Sequence, residues 1–154
     1  ALLGAGQATG DPFFAQMAED TLDYVLADLA DRDGAFYSAE DADSLPAGES
    51  EKREGAFYVV AAGDIDAWFG ADAPIVRRRL GIEDNGNAPH DPHGEFTGQN
   101  IPFIAQSVEE IAVRTGRTQD EVLAVLARMR QRLFEERAGR PRPHLDDKII
   151  AAWN

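Results

Sequence analysis

A chain of 154 residues with 44% hydrophobic residues has the length and apolar content of one domain with an ordinary core. Its 28 acidic against 15 basic residues give a formal charge of -13, a field that repels a phosphate backbone and argues against nucleic acid as a partner. The absence of cysteine excludes disulfides, thiolate metal sites and thiol nucleophiles.

No apolar run approaches the ~20 residues of a membrane span, and no signal peptide opens the chain, so no membrane partner and a cytoplasmic location are expected. The chain starts at Ala1 and stops at Asn154 within a helix-like run. The expectation is therefore a single partial domain over 1–154, a fragment of something longer.

In chain order, the first eight residues read as the end of a helix, weakened by Gly4 and Gly6 and broken at Thr9 and Gly10. Asp11 and Pro12 supply an N-cap and a first-turn proline. Phe14, Met17, Ala18, Leu22, Val25 and Leu29 then recur at helical spacing. Two helices separated by so short a break predict an antiparallel helical hairpin.

Two copies of GAFY follow, at Gly34–Tyr37 and Gly55–Tyr58, and predict the strands of a β-hairpin over about 34–60 with Ser44–Arg53 as its polar loop. Alternation assigns Phe36 and Phe57 to packing and turns Tyr37 and Tyr58 to the other face. Gly34 and Gly55 are expected at close or positive-φ positions. Ile65, Trp68 and Phe69 mark a short helix closed by Gly70, and a second opens at Asp72 and Pro74 and stops at Gly81.

The composition from about 83 to 100 predicts a long surface loop without periodicity. Ser107 with Glu110, and Thr118 with Glu121, form capping boxes for two further helices. The second of these carries Val122, Val125, Leu126, Met129 and Leu133 on one face and arginines on the other, and is expected to end at Gly139. Pro141 and Pro143 break the helix, and Asp146 or Asp147 is expected to cap a last one holding Ile149, Ile150 and Trp153.

Chemistry is sought among the acids. Glu40, Asp41 and Asp43 follow an aromatic segment directly, and Asp146 and Asp147 form a second cluster. Carboxylates held in unlike environments can divide the work of general acid and base. Asp43 and Asp146 are assigned acid–base work, with Asp147 as the further catalytic candidate. Tyr37, Glu40, Asp41, Tyr58, His144, Lys148 and Trp153 are assigned to substrate binding.

Carboxylates beside aromatic rings suit sugars, so a sugar ligand is the expected partner. Each acid reads equally as a helix cap or a solvent-facing charge. His90, Asp91 and His93 have metal-ligand composition, but no regular spacing aims them, and no metal is expected. Dinucleotide, P-loop, nucleophile-elbow and zincin patterns are absent, so no cofactor is expected.

The three segments GAFYSAEDADS, EGAFYVV and RPRPHLDDKIIAAWN, in that order, resemble the signature of the YyaL and spermatogenesis-associated protein 20 type family. The resemblance implies a mainly α fold, part of an (α/α)6 barrel of the six-hairpin-glycosidase type with one inserted β-hairpin. It also implies a thioredoxin-like domain outside this chain. Glycosidase-like or N-acylglucosamine 2-epimerase-like activity follows as an expectation. The alternative is a non-catalytic binding or scaffold domain working with the thioredoxin-like domain.

The partners so implied are that domain and the remaining barrel hairpins, and a fragment lacking them is expected to self-associate. The chain departs from the family pattern at Ala35, at Val60 and at Asn100-Ile101-Pro102.

Overall fold

The computed structural model describes residues 1–46, 48–88, 90–92 and 94–152 and divides into two units. Unit 1 is Ala1–Asp41 with the chain from His144 onward, and unit 2 is Ala42–Pro143. The described residues are mainly helical, with two short two-stranded sheets.

In unit 1, α1 (Leu2–Thr9) and α2 (Pro12–Tyr24) pack together. Gly10 takes φ 70, its N–H closes α1 on the Gly6 carbonyl at 2.8 Å, and Asp11 then caps α2 by accepting from the Phe13 N–H at 2.9 Å. The predicted helical hairpin forms for these local reasons. α2 runs on into a π-helical turn, Val25–Leu29, which ends where Ala30 turns extended and bridges to Phe36.

The first GAFY copy is the return arm of a tight turn rather than a hairpin strand. Gly34 at φ 92 donates to the Asp31 carbonyl at 3.0 Å, and the Asp31 N–H answers to Ala35 at 2.7 Å. Beyond it, β1 (Ala39–Glu40) pairs antiparallel with β4 (Leu145–Asp146), in the register Ala39 to Asp146 and Glu40 to Leu145.

The last helix expected from the sequence is corrected here. Leu145 and Asp146 are strand, and 147–150 have no regular structure. The physical reason is that their backbone is committed to the ladder: Asp41 N–H bonds to the His144 carbonyl at 2.7 Å and Ser38 N–H to the Lys148 carbonyl at 3.0 Å. Trp153 lies outside the described residues.

In unit 2, the paired strands are β2 (Asp43–Ser44) and β3 (Arg53–Glu54), inside the 34–60 span but not at the GAFY copies. The second GAFY copy is again a turn. Gly55 at φ 67 accepts from Tyr58 N–H at 2.8 Å, so a positive-φ glycine opens each copy and bends the chain where alternation alone predicts extension. Phe57 is nonetheless buried and Tyr58 exposed.

Four helices follow: α3 (Ala62–Phe69), α4 (Ala73–Leu80), α5 (Val108–Thr115) and α6 (Gln119–Ala138). Both capping boxes form, each with its hydroxyl on the backbone N–H of the third helical residue and that residue's carboxylate returning to the cap. Ile65, Ile75, Val76, Ile111, Val122 and Val125 are the fully buried centre where the four helices meet. Burial of each stabilises by roughly 1.5 to 3 kcal/mol relative to exposure.

The 83–100 segment is long but tied down. Asn87 donates to the Gly81 and Ile101 carbonyls and accepts from the Ile101 N–H, all within 2.8 to 2.9 Å. Asp91 accepts from the N–H groups of Glu95 and Phe96 at 2.8 and 2.9 Å. Asn100 is fully buried, exchanges both backbone bonds with Val60, and accepts from Glu83 N–H at 2.8 Å.

Candidate functional site

The ladder of unit 1 lays Ser38–Asp41 against His144–Lys148, two segments that sequence alone could not bring together. In an antiparallel pair, directly opposed residues share a face, so Asp146 stands with Ala39 and Glu40 with Leu145. Glu40 and Asp146 therefore leave the ladder on opposite faces.

Each of these two acids has a hydrogen-bonded neighbour. The Tyr24 hydroxyl donates to Glu40 Oε2 at 3.0 Å, and Lys148 Nζ sits 3.0 Å from Asp146 Oδ2. The lysine, first among several contacts, holds the Asp146 carboxyl below its ordinary range, with the Ser38 hydroxyl adding to the effect. Asp147 is exposed and has no hydrogen bond or ion pair to a described residue. His144 is likewise exposed beside the ladder.

Tyr37 is half-buried, and its hydroxyl donates to Asp31 Oδ1 at 2.8 Å. That bond pushes the phenol up and the carboxyl down. Asp147 adds its negative charge to the upward push on Tyr37. Asp31 and Tyr24 were not singled out in the sequence. The signal available for Asp31 was its six-residue separation from Tyr37 across the Gly34 turn.

Asp43 and Tyr58 belong to unit 2. Asp43 stands opposite Glu54 on the β2–β3 pair. Tyr58 meets the Phe57 ring edge-on, with centroids 5.0 Å apart, and the Arg137 guanidinium lies 5.5 Å from its centroid. Arg140, half-buried, reaches under this turn to three carbonyls, those of Ala56, Phe57 and Val59. Burial lowers its pKa, and the charge of Asp64 works against that.

Among the described residues no three His, Asp or Glu side chains converge as a metal site, and no helix is long and apolar enough to cross a membrane. His93 lies outside the described residues.

The chain is mainly helical and carries a short acidic ladder built from two motifs distant in sequence. No protein-family profile matches it. Aligned over 162 residues, it is 39% identical to mouse and 38% identical to human spermatogenesis-associated protein 20, covering 97% of this chain but only 20% and 21% of theirs. An uncharacterised protein of Caenorhabditis elegans is 33% identical over 135 residues, 81% of this chain. The chain belongs to the spermatogenesis-associated protein 20 type family. It spans about a fifth of the length of these curated relatives.

Proposed function

We propose that this chain supplies part of an (α/α)6 helical barrel of the six-hairpin-glycosidase type, and that the ladder of unit 1 binds a sugar for hydrolase-like or epimerase-like chemistry. The observation that carries the reading is the register of β1 with β4, which brings the motif holding Glu40 and Asp41 alongside the one holding His144, Asp146 and Asp147, with Glu40 and Asp146 on opposite faces. Hydroxyl groups of a sugar pair well with carboxylates and with the Tyr37 phenol.

Within the ladder, Asp147 is the proposed acid–base residue, because Asp146 is already neutralised by Lys148. His144 and Lys148 flank the same strand and are assigned to substrate hydroxyls. Asp43 and Tyr58 lie in unit 2 and take no part in this reading of the ladder.

Large apolar side chains exposed on α1 and α2 and their π-helical extension, Leu3, Phe13, Leu22 and Leu26, support barrel hairpins elsewhere in the protein as their cover. Without that cover, self-association is the proposed result.

The test is a panel of mono- and disaccharides titrated against the chain while its melting temperature is followed. An upward shift for one sugar, lost in Asp147→Asn but kept in Asp33→Asn, supports the reading. No shift with any sugar sinks it. A scaffold role beside a thioredoxin-like domain is the second reading, favoured by the engagement of Glu40 with Tyr24 and of Asp146 with Lys148. It predicts that Glu40→Gln and Asp146→Asn lower the melting temperature and that sugars do nothing.

A further inference from the structure

Unit 2 carries a second feature, unrelated to the acidic ladder. Along α6 two arginines are matched to acids: Arg128 pairs with Asp72 at 2.8 Å, and Arg132 pairs with Glu136 one turn on. Arg137 is different. Its guanidinium lies 5.7 Å from the Phe57 centroid, 5.5 Å from that of Tyr58 and 6.0 Å from that of Phe134, and no carboxylate among the described residues pairs with it.

Phe57 is buried beneath the cluster, while Tyr58 is 43% and Phe134 61% exposed. An open groove of about 360 Å³, lined by Arg130, Gln131, Leu133, Phe134 and Arg137, runs beside it.

Rings hold a guanidinium by its faces and leave the N–H edge for a planar, two-oxygen acceptor. An arginine so held has already lost part of its hydration and rotamer freedom, so docking a carboxylate onto it costs less than at a free side chain. The exposed rings of Tyr58 and Phe134 offer apolar contact on either side, the combination typical of an interface anchor.

The charge of the surroundings narrows the partner. Arg130 lines the same groove, the Arg142 guanidinium lies 5.8 Å from the Phe57 centroid, and Glu136 is already paired with Arg132, so the local field favours a negative group, and the exposed rings beside it favour a carboxylate carried among apolar side chains over a bare phosphate.

We propose that the Arg137, Tyr58 and Phe134 surface docks a peptide segment in which one Glu or Asp is flanked by apolar side chains.

The experiment uses the whole chain and a fluorescein-labelled peptide with a Leu-Glu-Phe centre and blocked ends, read by fluorescence anisotropy. Saturable binding is expected, weakened about tenfold or more by Arg137→Gln and by Phe134→Ala. It should be untouched by Arg114→Gln on the exposed face of α5. The same peptide with Gln in place of Glu should bind at least about tenfold more weakly.

Phe134 is exposed, so its truncation tests the surface without threatening the core, and a melting curve checks that each variant is folded. Equal binding by Arg137→Gln, equal binding of the Gln peptide, or tighter binding of a phosphoserine peptide would each overturn the proposal. A wild-type chain that dimerises through this surface, with the dimer lost in Phe134→Ala and no peptide bound, would overturn it in favour of a second copy as the occupant.

Discussion

Arg140 Nη1 lies 2.7 Å from the carbonyl oxygen of Val59 and bonds also to Ala56 and Phe57, so one half-buried cation fixes the turn that presents Phe57 and Tyr58. Three carbonyls that point inward at a turn have no strand or helix to satisfy them, and the guanidinium takes that place. Arg140→Ala leaves them without a partner and is expected to destabilise unit 2 by about 2 to 4 kcal/mol. Arg140→Lys should recover part of the loss. Urea denaturation followed by circular dichroism measures both.

Gly86 and Gly98 sit in the same loop with similar positive φ, 91° and 70°, but in different surroundings. A Cβ at Gly86 would stand 2.5 Å from the Gln99 carbonyl oxygen, whereas one at Gly98 would meet nothing within 4 Å. Gly98→Ala therefore carries the conformational cost alone, about 1 to 2 kcal/mol. Gly86→Ala adds a backbone clash and should exceed about 3 kcal/mol. Equal losses in paired melting curves would refute the contrast.

Asn100→Ala removes the acceptor of Glu83 N–H and a side-chain donor to Val60 in a fully buried position. A loss of about 2 to 4 kcal/mol is expected. Faster exchange of the Glu83 amide proton should accompany it, because that bond closes the start of the loop.

The Tyr37 to Asp31 bond predicts a window of pH. The phenol is raised above 10.0, so its stabilising contribution is present below 10.0 and is lost as pH rises through the folded-state value. The carboxyl is lowered below 3.8, so its contribution is present above 3.8 and is lost as pH falls through the folded-state value. Phenolate absorbance should show a late-titrating phenol that moves to lower pH in Asp31→Asn. A Tyr37 titration unchanged by Asp31→Asn would refute the bond.

The helices were legible in the sequence where the signal was local. Asp11 with Pro12, Ser107 with Glu110, and Thr118 with Glu121 each mark a helix start with atoms that lie within three residues, and each forms. The GAFY copies misled because aromatic alternation mimics a strand, while the deciding atom, a glycine at positive φ, acts at one position only. The fate of Leu145 and Asp146 was illegible for a different reason. Their partners are Ala39 and Glu40, and no periodicity near Asp146 carries information about them.

Of the acids, sequence named Glu40, Asp41, Asp146 and Asp147 without the register that relates them. Asn100 was legible only as part of a departure from the family pattern and not as a buried anchor, because a polar residue in a Gly- and Pro-rich stretch reads as solvent-facing.

The β1–β4 ladder also sets an order of events. Ser38 and Asp146 are 108 residues apart, so unit 1 cannot complete its sheet until all of unit 2 and the segment after it have left the ribosome. Unit 2 is continuous in sequence and free of that requirement. Closing so wide a loop in an unfolded chain costs entropy that rises with its length, and a prefolded insert replaces most of the flexible loop. The acidic motifs therefore meet only after unit 2 has been made, and a nascent chain that ends before His144 lacks the ladder.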